Sequence, residues 1–154
     1  MKYPRGMPGL TPVVQARVDV GNVHADFVIE VCWAAFKANL TLTVEFPMWR
    51  GNFGVAPKRG YWAEKADYPT IQHFPAMQDF LDASGAVIVS FPLCKVGATM
   101  QKYTSFIIWP PSAAAPFAHL DGQECECANH SDVAKGAMSD KAKVYPPKLD
   151  ALIA

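Results

Sequence analysis

Three short β-rich runs limit what this chain can fold into. Leu40 to Phe46 alternates, with Leu40, Leu42, Val44 and Phe46 on one face and Thr41, Thr43 and Glu45 on the other, until Pro47 stops it. Ala86 to Phe91 is a continuous apolar run, as in a strand covered on both faces. Tyr103 to Trp109 is the third, ended by Pro110-Pro111. A typical sheet has about five or six strands. The first strand also follows a helix, as if a sheet had been entered midway.

The helical signals lie around these runs. Gly21-Asn22 offers a start, and Val23, Phe27, Val28, Val31, Cys32 and Phe36 follow at helical spacing with Asp26, Glu30 and Lys37 between them. This predicts a helix over 22–38 with Asn39 as its cap. Pro75 to Ala83 predicts a short helix that buries Met77, Phe80 and Leu81 and is closed by Gly85. A last short helix, Lys148 to Ile153, follows Pro146-Pro147. Residues 48–69 mix Gly51, Gly54, Pro57, Gly60 and Pro69 with Trp49, Phe53, Tyr61 and Trp62, which predicts a long loop anchored by aromatics. The order helix, strand, helix, strand, strand is that of an α/β protein. The expectation is a single domain over 1–154: an arm over 1–20, an α/β core over 21–110, and an irregular Cys/His segment with a short C-terminal helix over 111–154. Its sheet is expected to be a partial doubly wound, Rossmann-like one with few strands, although no Gly-rich turn between strand and helix offers a phosphate cradle.

Composition narrows the function classes. The 154 residues are 51% hydrophobic and 18% charged, which excludes a disordered chain, and the formal net charge is +0. A neutral chain does not hold nucleic acid by its overall field. Lys95, Gln101 and Lys102, with Arg50, Lys58 and Arg59 from the aromatic loop, could form a local phosphate-facing patch; the competing reading, which net neutrality favours, is ordinary surface lysines balanced by nearby acids. The longest apolar runs fall far short of the roughly 20 residues of a membrane helix. Residues Met1 to Gly6 lack the apolar core of a secretory signal, so an intracellular protein without membrane partners is expected. The four cysteines, Cys32, Cys94, Cys125 and Cys127, are accordingly read as reduced.

Two groups of side chains could carry chemistry. His119, Cys125, Cys127 and His130 offer two sulfur and two nitrogen ligands, the set for tetrahedral zinc, although Cys-x-Cys and Cys-x-x-His are tighter than the usual spacings. The competing reading is reduced cysteines and surface histidines. Glu45 stands on the polar face at a strand end, where α/β domains place functional residues; the competing reading is a solvated carboxylate. Cys32 falls on a buried stripe, and Cys94 follows a strand with no base paired to it.

Three segments, in order, resemble the second half of cytosine-5 DNA methyltransferase-like domains, closest to the divergent forms of phages and protist mobile elements. The first is the Gly21-Asn22 helix leading to Leu42-Thr43-Val44-Glu45-Phe46-Pro47, where the family has Glu-Asn-Val or Glu-Asn-Pro. The second is Val87 to Gly97. The third is Gly97-Ala98-Thr99-Met100-Gln101-Lys102-Tyr103-Thr104, similar to Gly-x-Pro-Gln-x-Arg-x-Arg or its phage form with Lys and Thr. The related mobile-element proteins also carry a Cys/His segment and a Tyr-Pro-Pro-x-Leu ending, like Cys125, Cys127, His130 and Tyr145 to Leu149. The resemblance implies that Glu45 holds a target cytosine and that Gln101, Lys102 and Thr104 lie at the base and its phosphate. It also implies S-adenosylmethionine as the cofactor of a complete domain. Phe46 replaces the family's Asn, Lys and Thr replace its arginines, and neither a Pro-Cys pair nor a Gly-rich donor loop occurs in the chain. The expected function is thus a truncated or degenerate methyltransferase-like domain, inactive alone, with weak DNA affinity and a missing N-terminal half as a partner. The alternatives are a zinc-stabilised interaction module, or a structural protein of a mobile element or virus.

Overall fold

The computed structural model describes residues 3–49, 69–100, 102–127, 129–130 and 145–153. Helix α1 spans Pro12–Lys37 and so begins well before residue 22. The start is set by Thr11, whose side chain accepts a hydrogen bond from Val14 N at 3.4 Å, and by Pro12, whose fixed φ suits the first helical position. Residues 12–20 therefore belong to the helix rather than to an arm, and Gly21 lies inside it. At the other end Ala38 caps the helix and Asn39 takes a left-handed φ of 55°. The remaining arm folds back along α1. Arg5 pairs with both carboxylate oxygens of Asp26, its guanidinium lies over the Phe74 ring, and Asn22 Nδ2 donates to its carbonyl.

The three expected strands form. They are β1 (Leu42–Pro47), β2 (Val87–Pro92) and β3 (Tyr103–Trp109), in the order β1-β3-β2. Both ladders are antiparallel, with Leu42 opposite Trp109 and Val87 opposite Ile108. The mixed helix and strand content is as expected, but the described strands do not form the parallel ladders of a doubly wound sheet. The connection explains why. A parallel crossover needs a dozen or more residues, usually a helix. Between β2 and β3 the chain makes only a 3-10 turn, Leu93–Val96, closed by Gly97 at φ 98°, and returns.

β3 is buried along its whole length because both of its edges are paired and both of its faces are covered. On one face, Leu42, Phe46, Ile107 and Trp109 pack on Ile29 and Cys32 of α1 and on Met77 and Phe80 of α2 (Pro75–Ser84). Phe36 meets Trp109 edge-on at 5.2 Å and Trp33 meets Phe80 at 5.6 Å, a geometry that suits aromatic quadrupoles. On the other face, Val89, Phe91, Phe106 and Ile108 pack on Ala114, Phe117 and Leu120 and on Leu149 of α3 (Pro147–Ile153). The segment after β3 turns through a 3-10 helix, Pro111–Phe117, and runs along the free edge of β2. There Ser90 N donates to Asp121 Oδ1 at 2.8 Å, and Gly122 N donates to the Ser90 carbonyl at 3.0 Å. No helix of the described residues is long and apolar enough to cross a membrane. The aromatic loop, apart from Met48, Trp49 and Pro69, lies outside the described residues.

Candidate functional site

Because β3 runs against both neighbours, the ends of β1 and β2 and the start of β3 meet at one end of the sheet. Leu93 N donates to the Lys102 carbonyl at 2.8 Å and Met48 N to the Tyr103 carbonyl at 3.5 Å, which holds this end together. Two polar clusters form there.

The first is built on Glu45. Its ladder partner is Phe106, so Thr104, two residues along β3, shares its face and lies diagonally within reach. Thr104 Oγ1 donates to Glu45 Oε1 at 2.6 Å, and Lys102 Nζ lies 2.9 Å from the same oxygen. Tyr145, just before α3, donates its hydroxyl to Glu45 Oε2 at 3.1 Å. Burial alone would push the Glu45 carboxyl up; the donors Thr104, Lys102 and Tyr145 together outweigh it and leave the group below its ordinary value. Burial first, and then the charge of Glu45, push the Tyr145 phenol up to about 12. The result is a half-buried, ionised carboxylate with an ammonium beside it, an arrangement that can accept hydrogen bonds from a ligand only by rearranging donors already in place.

The second cluster holds Cys94, Cys125, Cys127 and His130, whose ligand atoms all lie within 4.8 Å of one another and which could hold a metal ion. Cys94 comes from the 3-10 turn after β2, and the others from the strip that follows the β2 edge contact. Cys125 Sγ is 3.5 Å from His130 Nε2, and Cys125 N donates to the Tyr103 hydroxyl at 3.2 Å. All four cysteines are free. Burial, and behind it the neighbouring Cys125 and Cys127 sulfurs, push the Cys94 thiol up to about 12. Lys95 pairs with Glu126 at 3.0 Å beside the cluster.

The sequence expectations fare unevenly. Glu45, Lys102 and Thr104 are brought into contact as a unit. Gln101 lies outside the described residues, as do Arg50, Lys58 and Arg59 of the expected basic patch, while Lys95 and Lys102 are each paired with a carboxylate. Cys125, Cys127 and His130 share one cluster, but His119 is not part of it. His119 lies in the turn before Asp121, where its carbonyl accepts from Gln123 Nε2. Cys94 takes the fourth position. Sequence spacing favoured His119 because it is close along the chain; the signal for Cys94 was its place at a strand end, one turn from the returning strand. Tyr145 was also missed as a site residue, although its Tyr-Pro-Pro context was visible.

The turn after β2 is a short 3-10 helix, and no Gly-rich strand-turn-helix occurs among the described residues. No family model matches the chain, and no curated protein or solved structure matches it.

Proposed function

We propose that these residues carry the base-facing part of a cytosine-5 DNA methyltransferase-like domain that does not transfer methyl groups by itself and binds DNA weakly. The observation that carries this reading is the contact of Glu45 Oε1 with Lys102 Nζ and Thr104 Oγ1. These are the three positions where the resemblance puts the cytosine-holding carboxylate and its base- and phosphate-contacting neighbours, and they come from segments far apart in the chain. The doubly wound expectation keeps one form here. β1 and β2 run in the same direction with β3 reversed between them, so the parallel relation of a doubly wound sheet is kept only by two strands that are not hydrogen-bonded to each other. Methylation of a cytosine ring needs a thiolate nucleophile and a bound sulfonium donor; the chain has no Pro-Cys pair. Weak binding follows from zero net charge, since affinity for DNA comes chiefly from neutralised phosphates.

The test is fluorescence anisotropy with a labelled duplex containing one mismatched, easily extruded cytosine, at low salt. Salt-sensitive binding that is weakened by Lys102→Ala and by Glu45→Gln supports the reading. Absence of binding at low salt, or binding indifferent to both substitutions, overturns it. A methyl-transfer assay with labelled donor on the chain alone is expected to give background counts.

A further inference from the structure

We propose that Cys94, Cys125, Cys127 and His130 form a structural zinc site that clips the strip 121–130 to the turn after β2. The ligand chemistry selects the metal. Three thiolates and one imidazole are a tetrahedral zinc set, whereas magnesium and calcium take oxygen ligands. The geometry is nearly closed already. With Zn–S near 2.3 Å and Zn–N near 2.0–2.1 Å, the ligand atoms of a tetrahedron stand roughly 3.5–3.8 Å apart. Here the four atoms lie within 4.8 Å of one another, and the Cys125 Sγ to His130 Nε2 separation is 3.5 Å. A contraction of about 1 Å, well within reach of side-chain rotation, completes the site.

Four protein ligands leave no open position, so the site is structural rather than catalytic. Its position agrees. Cys94 and Cys125 are half-buried, and only Cys127 is exposed. The strip that bears the last three ligands is held upstream by the Asp121 and Gly122 contacts to Ser90. Further along, Cys125 packs against Met48 and Tyr103, and a metal would add a second tie at the same point. The tight Cys-x-Cys spacing, awkward for a site built from 119–130 alone, becomes workable once the remaining ligand comes from a different part of the fold. Binding is balanced by proton release: the three Cys Sγ–H bonds lose their protons, three S–Zn bonds and one N–Zn bond form, and the centre carries one negative charge. The Lys95 ammonium stands next to Cys94 in the chain.

The experiment uses the full 154-residue chain, purified without chelator and reconstituted with zinc chloride. Elemental analysis should give about one zinc per chain, and replacement by cobalt(II) should give the intense visible bands of a tetrahedral centre with charge-transfer absorption from three thiolates. Cys94→Ser should weaken zinc binding by more than roughly a hundredfold, because loss of a mere outer partner of a ligand already costs about 10–100-fold. His119→Ala should leave stoichiometry and spectrum unchanged. Substoichiometric zinc after reconstitution, an octahedral cobalt spectrum, or loss of metal in His119→Ala would overturn the assignment. The wild-type cobalt spectrum counts the thiolates even if Cys94→Ser fails to fold. None of these readouts depends on DNA binding, so this proposal and the preceding one stand or fall separately.

Discussion

Glu45 ties together three parts of the chain: the end of β1, the start of β3 through Lys102 and Thr104, and the approach to α3 through Tyr145. Removing the carboxylate strands three donors in a half-buried place, whereas removing one donor leaves the others in service. Glu45→Ala should therefore cost about 1–3 kcal/mol of folding stability and Tyr145→Phe about 0.5–1.5 kcal/mol, read from urea midpoints. The pH dependence follows from the depressed carboxyl. A group that ionises more readily in the fold stabilises it above its unfolded value near 4.3, and that contribution is lost as pH falls through the lower folded value. Between about pH 6 and pH 3 the Glu45→Gln protein should thus lose less stability than the wild type. Equal losses in both proteins would mean that the three contacts do not favour the charged form.

At the scale of elements, two glycines should respond with opposite signs. Gly85 ends α2 at φ 66°, where an L side chain is strained although no atom lies within 4 Å of an added Cβ. Gly85→Ala should cost about 1–2 kcal/mol. Gly21 lies mid-helix in α1, with ordinary φ and equally open space. Gly21→Ala should raise stability by about 0.5–1 kcal/mol. A loss there would mean that the helix starts at Gly21-Asn22, as the apolar spacing alone suggested. That error has a plain source. Of the spaced apolar residues, Val28, Cys32 and Phe36 pack on the core while Val23, Phe27 and Val31 are exposed, and Ile29, outside the spacing, is buried. The half from Pro12 onward has no buried residue, so its only signal was the Thr11-Pro12 cap, hidden among the prolines and glycines of the arm. Strand positions were legible because both ladders bury residues in patterns that leave a trace in sequence: alternation in β1, a continuous apolar run in β2 and a β-rich run in β3. Strand direction was not, because it depends on the length and path of a connection that apolar patterning does not encode. Glu45, Lys102 and Thr104 were named together only through the family resemblance, and Cys94 was not named as a ligand, because ligands brought together by a sheet end carry no fixed spacing along the chain.

Across the whole molecule, the turn Leu93–Val96 joins what looks like two separate attachments. Leu93 and Val96 pack in the same cluster as Leu149, the fully buried residue of α3. Between them in sequence, Cys94 faces the other three ligands. α3 and the Cys/His cluster therefore meet one turn from two sides, and with zinc bound at the cluster their contributions should not add. Leu149→Ala should cost about 2–5 kcal/mol on its own through lost burial and the cavity left behind. Chelation of zinc should lower the stability of the wild type and speed amide exchange at Gly122 and Cys125 while leaving β3 protected, since β3 is held by two ladders and two packed faces. In the Leu149→Ala background the turn that presents Cys94 is looser, so zinc binds less tightly and its removal costs less. The double perturbation should fall short of the sum by about 0.5–3 kcal/mol, the range for groups that share a partner. Four urea titrations, each protein with and without chelator, measure this directly. Agreement with the sum to within about 0.3–0.5 kcal/mol would show that the two attachments act independently and that the turn is rigid without help from α3.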